Sequence, residues 1–257
     1  MTMFEVRVGG QRIPYETAGD GWRAICFVHG WACAPGIWAS TMASLPPGYR
    51  AVAPYLFGPD RPPGGYTATG FADAVAAFLP AVGVPKAVVV GHSLGGVVSQ
   101  LVTLRHPGRV EKLVLIGTGA TLRGHGLAQP LLEQLRREGK NRETMAAITR
   151  NWFSKQPAPE VFEGYVDVAM QAPVEGLIEA LGSLFEIDLE PRLAEIAVPT
   201  LIVHGSLDAG RKIEHAEGLH KGIRASRLVV FPDCGHSPMV EDPPGFNRAF
   251  HAFLAEA

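Results

Sequence analysis

Continuous apolar runs constrain the fold of this chain more than any other feature of its sequence. Residues 87–91 spell AVVVG and residues 112–117 spell KLVLIG, without the polar alternation of a half-exposed strand. Strands that are buried on both faces of a parallel sheet have this pattern. Because parallel neighbours need a long crossover, usually a helix, we expect helices between these strands. The runs therefore predict a parallel sheet with helices on both faces.

Strand and helix patterns alternate along most of the chain. The strand patterns lie at 4–8, 13–17, 24–28, 50–54, 87–91, 112–117, 200–204 and 227–231, and the helix patterns at 37–45, 69–82, 95–105, 212–219 and 244–255. Gly9 and Gly10 predict a hairpin between the first two strands. The alternation indicates right-handed βαβ units. We predict an α/β protein with a doubly wound, mostly parallel, eight-stranded sheet.

Residues 119–197 interrupt the alternation. They contain no convincing strand, only four or five helical stretches separated by prolines and glycines such as Pro130, Gly139 and Pro173. We predict a helical cap at 119–197, inserted into a core formed by 1–118 and 198–257. Ligands bind beyond the carboxyl ends of parallel strands, so such a cap would close the site. Its first half is basic, which suits solvated helix faces or, alternatively, a docking patch for an acidic carrier protein.

Charge and hydropathy exclude several classes of protein. The 257 residues carry a formal net charge of −2, so there is no basic footprint for nucleic acid. The most apolar long stretch, 87–104, contains His92, Ser93 and Gln100, which argues against a membrane span. The first ten residues, MTMFEVRVGG, lack the basic start and apolar core of a signal peptide. We expect a cytoplasmic protein, either a monomer or a weak dimer.

The three cysteines do not suggest a metal site. They cannot all pair, and their spacing matches no zinc-binding motif, which is typical of a reducing compartment. We expect neither a metal ion nor a cofactor. The cysteines are Cys26, Cys33 and Cys234.

The strongest functional signal is Gly91-His92-Ser93-Leu94-Gly95-Gly96, placed directly between a predicted strand and a predicted helix. A serine on so sharp a turn has strained backbone angles, and glycines two residues to either side let the turn close. Its hydroxyl would then stand exposed at the edge of the sheet, beside the N–H groups of a helix N-terminus. We interpret Ser93 as a catalytic nucleophile.

A serine nucleophile needs a base, and the base needs an orienting acid. Of the nine histidines, His236 lies in the loop after the last strand, at the carboxyl edge of the sheet. Asp208 lies just past the preceding strand and would approach from the side. Asp233 and Glu241 are nearer to His236 along the chain. We predict the triad Ser93, Asp208 and His236.

Acyl transfer also needs two N–H donors for the oxyanion. The backbone N–H of Leu94, directly after the nucleophile, is one candidate. The other is the backbone N–H of Trp31, in the loop Val28-His29-Gly30-Trp31 that follows the third predicted strand. The side chains of Trp31 and Leu94 would also line the substrate pocket.

These motifs resemble the α/β-hydrolase superfamily over nearly the whole chain. The similar segments are His29-Gly30-Trp31, Ser93-Leu94-Gly95-Gly96, His106-Pro107, the Gly-x-x-Asp of 205–208 and Gly235-His236. The most similar branch is the cap-bearing carboxylesterases, which includes pimeloyl-carrier-protein methyl ester esterase and the enol-lactonases. The resemblance implies the α/β-hydrolase fold. It also implies that the segment 152–156 contacts substrate, through Trp152, Phe153 and Gln156.

The sequence departs from the family pattern at two loops. After the fourth strand only Gly58 survives of the usual glycines, in a loop stiffened by prolines. A proline usually follows the acid by a few residues, whereas Asp208 is followed by Ala209-Gly210-Arg211. These changes concern the shape of the pocket more than the chemistry.

Taken together, the motifs predict a serine hydrolase that cleaves a small-to-medium carboxylic ester through an acyl-enzyme on Ser93. An enol-lactonase or a carbon–carbon bond hydrolase with the same triad is the alternative. Carbon–carbon hydrolases usually have an aromatic residue just after the histidine, where this chain has Ser237. A triad-bearing small-molecule receptor is a further alternative. The expected partner is a small-molecule ester, and an acyl carrier protein is a secondary one.

Overall fold

An eight-stranded sheet organises the structure, a computed structural model that describes residues 3–256. The strand order is β1-β2-β4-β3-β5-β6-β7-β8; β1 and β2 run antiparallel to their neighbours, and all other pairs are parallel. The predicted mostly parallel sheet is confirmed. The strands are β1 Met3–Val8, β2 Gln11–Ala18, β3 Arg23–Val28, β4 Tyr49–Pro54, β5 Ala87–His92, β6 Val110–Ile116, β7 Thr200–Gly205 and β8 Ser226–Phe231.

Ten α-helices occur among residues 3–256. They are α1 Ala39–Ala43, α2 Ala68–Ala81, α3 Leu94–Arg105, α4 Ala128–Glu138, α5 Arg142–Arg150, α6 Pro159–Gln171, α7 Val174–Phe185, α8 Ile213–Gly222, α9 Pro238–Glu241 and α10 Pro243–Ala255. None of these helices is long and apolar enough to cross a membrane. The predicted helix at 37–45 is shorter than expected, because Pro35–Trp38 forms a 3-10 turn ahead of α1.

The central strands are buried on both faces, as their apolar runs predict. In β5, Val89 belongs to one buried cluster, which also contains Phe71 of α2 and Val98 of α3. Val88 and Val90 belong to a second cluster with Phe250 of α10. Successive side chains of a strand point to opposite faces, so an uninterrupted apolar run supplies both cores. The sheet is therefore the middle of three layers.

A helical insertion separates β6 from β7; we use this name for residues 117–199. It contains α4, α5, α6, α7 and a 3-10 segment at Glu190–Glu195. An isolated antiparallel bridge joins Thr121 to Asp188 near its two ends. The insertion leaves the sheet at the carboxyl end of β6, the edge where the loops after β5, β7 and β8 also lie. Because β7 runs parallel to β6, the chain re-enters the sheet at the amino end of β7.

Candidate active site

Ser93 occupies a strained turn between β5 and α3. Its φ of 55° and ψ of −118° lie outside the regions that a residue with a side chain normally adopts. The Ser93 backbone N–H donates to Ile116 O at 2.9 Å, and Thr118 Oγ1 donates to Ser93 O at 2.8 Å. The end of β6 and the loop that follows it therefore hold the turn through both the N–H and the C=O of Ser93. Strain of this kind is maintained only where the surroundings fix it, commonly at functional sites.

Three glycines around Ser93 allow this turn to pack. A Cβ on Gly91 would lie 2.2 Å from Gly95 O, and one on Gly95 would lie 2.1 Å from Val28 O. A Cβ on Gly96 would lie 2.5 Å from the side chain of Thr118. The helix thus approaches the sheet so closely that no side chain fits, which accounts for the glycine pattern of the sequence motif.

Asp208 and His236 meet from two adjacent loops, after β7 and after β8. His236 Nδ1 lies 2.6 Å from Asp208 Oδ2. Asp208 Oδ1 accepts the backbone N–H groups of Gly210 at 2.9 Å and Arg211 at 2.8 Å. Burial raises the pKa of Asp208, but the contact with His236 and the N–H of Arg211 outweigh it and hold that pKa at about 2. The carboxylate is therefore ionised and fully occupied by donors.

All three predicted triad residues line one cavity of about 280 Å³. The alternative acids are placed elsewhere. Asp233 is exposed, and the Glu241 carboxylate accepts backbone N–H groups instead: Oε1 from Gly235 at 2.8 Å and Oε2 from Ser154 at 2.7 Å. Asp208 is thus the carboxylate in contact with His236.

The predicted oxyanion donors, Trp31 and Leu94, line the same cavity. Neither backbone N–H donates a hydrogen bond to another group within residues 3–256. A Cβ on Gly30 would lie 3.2 Å from Ser93 Cβ, so the loop after β3 passes directly beside the serine. The Trp31 side chain reaches the helical insertion, where its Nε1–H donates to Leu177 O at 2.8 Å.

The segment 152–156 contributes only one side chain to the cavity. Trp152 lines it, together with residues of α4, α5 and α7. Phe153 is buried elsewhere and stacks on Tyr165 with ring centroids 5.6 Å apart. Gln156 is exposed and donates to Arg150 O at 2.9 Å. Phe153 and Gln156, which the resemblance implies to contact substrate, do not line this cavity, because Phe153 is packed in the insertion and Gln156 caps a turn.

Two further buried histidines, outside the predicted triad, form hydrogen bonds beside the site. His29 Nε2 accepts the Leu56 N–H at 3.0 Å, and His29 Nδ1 donates to Gly30 O at 2.9 Å. His92 Nε2 donates to His236 O at 3.1 Å. Burial lowers the pKa of His29 to about 4 and that of His92 to about 3, so both rings are neutral near pH 7. They act as hydrogen-bonding braces for the loops beside Ser93 and His236.

The sequence did not predict the roles of two residues at the site. Glu241 joins the loop that carries His236 to the helical insertion, and Arg211 lines the cavity. The only sequence signal for Arg211 is its position in the altered loop after Asp208. For Glu241 the sequence offers only proximity to His236, since its partner Ser154 is remote along the chain.

No group of three or more metal-ligating side chains with suitable geometry occurs in the described part of the chain. All three cysteines are buried free thiols. Burial raises the pKa of Cys33, which lines the cavity, to about 12. It is therefore a protonated, unreactive wall residue.

A strained serine, a buried Asp–His pair and a doubly wound sheet together define a hydrolase class, and comparison with known proteins agrees. Residues 27–249 match the alpha/beta hydrolase family, and the chain belongs to that family. A pimeloyl-[acyl-carrier protein] methyl ester esterase from Aromatoleum aromaticum is 31% identical over 85% of this chain and 93% of its own. A 3-oxoadipate enol-lactonase 2 from Acinetobacter baylyi is 28% identical over 75% and 73%. The crystal structure of a hydrolase from Pseudomonas aeruginosa superposes with a TM-score of 0.89 at 27% identity, covering 99% and 98%.

Proposed function

We propose that this protein is a serine hydrolase that cleaves a small-to-medium carboxylic ester through an acyl-enzyme on Ser93. One observation carries the proposal: His236 and Asp208, joined by a hydrogen bond of 2.6 Å, line the same cavity as the strained Ser93. Acyl transfer by a serine requires a nucleophile, a base and an orienting acid in one site, so the shared cavity supports the proposal.

The proposed cycle has two acyl-transfer steps. His236 Nε2 takes the proton of Ser93 Oγ as Oγ attacks the ester carbonyl carbon, while Asp208 holds the Nδ1–H tautomer. The N–H groups of Trp31 and Leu94 stabilise the oxyanion. When the tetrahedral intermediate collapses, His236 returns the proton to the departing alcohol. Water then attacks the acyl-enzyme as His236 takes one of its protons. The second tetrahedral intermediate collapses, the bond to Ser93 Oγ breaks and the acid is released, while His236 returns the proton to Ser93 Oγ.

We assign residues 119–197 the role of a cap over this site. Side chains of α4, α5 and α7 face the same cavity as Ser93, and the Trp31–Leu177 hydrogen bond fixes the insertion to the loop after β3. Closure of this kind excludes bulk water and strengthens electrostatic stabilisation of the oxyanion. The limited cavity volume, about 280 Å³, favours small-to-medium acyl groups over long lipid chains.

The basic helices of the insertion do not extend the proposal to a carrier-bound substrate. Arg142 pairs with Glu163 and Asp167, and Arg137 pairs with Glu138. The charges of these two arginines are satisfied within the chain, whereas the exposed Arg136, Arg150 and Lys155 form no ion pair among residues 3–256. A free small-molecule ester is the proposed substrate.

A lactone is the second candidate substrate, because a lactone is an internal ester and opens by the same two steps. The relative named 3-oxoadipate enol-lactonase 2 favours it. By contrast, the position after His236 holds the buried Ser237, not the aromatic residue usual in carbon–carbon hydrolases.

A panel of p-nitrophenyl esters and lactones, together with fluorophosphonate labelling read by mass spectrometry, tests the function. We expect sustained turnover, a single label on Ser93 and loss of both in Ser93→Ala, with kcat lower by about 10⁴. A label that persists in Ser93→Ala contradicts the assignment. A single burst of product without turnover indicates a receptor.

A further inference from the structure

Arg211 lies buried in the cavity wall, in the loop where the sequence departs from the family pattern. It is 3% exposed and lines the same cavity as Ser93 and His236. A buried guanidinium is costly unless its charge and its N–H groups find partners. The partners of Arg211 therefore indicate what this position is for.

The protein satisfies only a small part of the Arg211 side chain. Its Nη1 donates to Thr121 O at 2.7 Å. Within residues 3–256 the guanidinium makes no other hydrogen bond and no ion pair with a carboxylate. Asp208 lies in the same loop, but it accepts the backbone N–H of Arg211 and not the guanidinium. The remaining guanidinium N–H groups have no acceptor in the described part of the chain.

Arg211 is also the only lysine or arginine in the described cavity wall. Burial lowers the pKa of Arg211 to about 10, so it stays protonated near pH 7. Burial likewise lowers the pKa of two wall histidines, His92 to about 3 and His125 to about 4, so they carry no charge. Asp208 is the only carboxylate in the wall, and His236 and two backbone N–H groups already occupy it. An anionic ligand group would therefore meet one cation that has no carboxylate hydrogen-bonded to it, although the charge of the nearby Asp208 acts on it through space.

We infer that Arg211 binds a carboxylate of the substrate, so that the enzyme prefers an ester or lactone that carries a free carboxylate at the end remote from Ser93. This inference rests on the proposed function and names its substrate class. A planar guanidinium can donate two parallel hydrogen bonds to a carboxylate, and its single positive charge balances the single negative charge of the carboxylate. The ring of His125 adds a neutral polar group beside this position, 3.4 Å from where a Cβ on Gly210 would lie.

The rest of the wall suits the chain between the two ends of such a substrate. Leu122, Leu131, Leu181 and Leu184 line the cavity. Methylene groups would be buried against them while the ester reaches Ser93 and the carboxylate reaches Arg211. A half-ester of a dicarboxylic acid has this distribution of apolar and charged groups.

The test compares matched substrates that differ only at the remote end. Monomethyl esters of dicarboxylic acids, from succinate to adipate, are paired with methyl esters of monocarboxylic acids in which a methyl group replaces the carboxylate. The readout is the ratio of kcat/KM for the charged member to kcat/KM for the neutral member. Arg211→Met removes the charge and keeps a side chain of similar length. Arg211→Lys keeps the charge but cannot donate two parallel hydrogen bonds. The same change at an exposed arginine, Arg123→Met, is the matched control.

We expect wild type to prefer the charged member at one chain length, and Arg211→Met to lower the ratio by about 10- to 100-fold. Arg211→Lys should lower it less, and Arg123→Met should leave it unchanged. Equal losses on both members in Arg211→Met and in Arg211→Lys would overturn the inference, because they would show that Arg211 acts only through Asp208.

A binding measurement separates this inference from the proposed function. In a Ser93→Ala background, monomethyl adipate should raise the melting temperature, and the added Arg211→Met change should abolish that rise. If wild type hydrolyses no ester but this Arg211-dependent rise is present, the proposed function fails and the carboxylate site stands. If esters are hydrolysed but the ratio and the melting rise do not depend on Arg211, the carboxylate site fails and the proposed function stands.

Discussion

Glu241 fastens the loop that carries His236 to the helical insertion, and its removal provides the sharpest test of the architecture. Its Oε1 accepts the N–H groups of Gly235 at 2.8 Å and Ser237 at 3.3 Å, on either side of the histidine. Its Oε2 accepts from Ser154 N at 2.7 Å, Ser154 Oγ at 2.6 Å and Lys155 N at 3.2 Å. One carboxylate thus joins two segments that are remote in sequence.

The two ends of this contact differ in burial, which sets the expected magnitudes. Gly235 and Ser237 are buried, whereas Ser154 and Lys155 are exposed and exchange a lost bond for water. In Glu241→Gln the amide oxygen can still face the buried pair, but the NH₂ group then faces the donors of the insertion. We expect a loss of about 1–2 kcal/mol in the free energy of unfolding. In Glu241→Ala the buried N–H groups also lose their acceptor, for a total of roughly 3–5 kcal/mol.

Thermal unfolding followed by circular dichroism measures this difference. At roughly 2–4 °C per kcal/mol for a chain of this size, the melting temperature should fall by roughly 2–8 °C in Glu241→Gln and roughly 6–20 °C in Glu241→Ala. The kcat for an ester should fall by about tenfold in Glu241→Ala. A displaced His236 that raises the activation free energy by about 1.4 kcal/mol has that effect. The exposed Glu195→Gln is the control. Equal melting temperatures in the wild type and both Glu241 variants would refute the reasoning.

Three further predictions concern the triad and the pocket. Asp208→Asn should lower kcat by about 10⁴ through the wrong tautomer of His236, with little change in Asp233→Asn; the reverse order would show that the acid is misassigned. His92, whose pKa burial lowers to about 3, should stay neutral near pH 7 and add no ionisation to the acid limb of log kcat/KM against pH, measured with a neutral ester; a slope of two in that limb would contradict this. Trp152→Ala should shift the preferred acyl chain of p-nitrophenyl esters to greater length, since each added CH₂ gains roughly 0.8 kcal/mol where the wall recedes, and an unchanged profile would show that Trp152 does not limit the chamber.

The sequence by itself determined the parallel sheet and the position of its central turn. Apolar runs such as 87–91 are stable only in a strand that is buried on both faces. Gly91, Gly95 and Gly96 lack the side chains that would prevent a strand and a helix from packing closely at the turn. Because these are local requirements of chain geometry, the sequence predicts them without knowledge of the tertiary contacts. The order of Ser93, Asp208 and His236 along the chain was also enough to nominate them as one site.

Only the tertiary structure decided which side chains share the cavity. Trp152 and Phe153 are adjacent in sequence, yet one lines the cavity and the other packs on Tyr165. Within an irregular turn, neither the two-residue period of a strand nor the 3.6-residue period of a helix fixes the direction of a side chain. A family resemblance therefore predicts which segment lies near the site, but not which of its side chains face the cavity.

The environment of Arg211 likewise depends on the fold. Its burial, its single bond to Thr121 and the absence of a carboxylate partner in the described chain arise where the loop after β7 meets the start of the helical insertion. Thr121 is 90 residues away along the chain. The sequence shows that Ala209-Gly210-Arg211 follows the acid, where the family pattern usually has a proline within a few residues. Whether that arginine lies in solvent or points its charge into a cavity depends on contacts between distant segments, which local patterns do not encode.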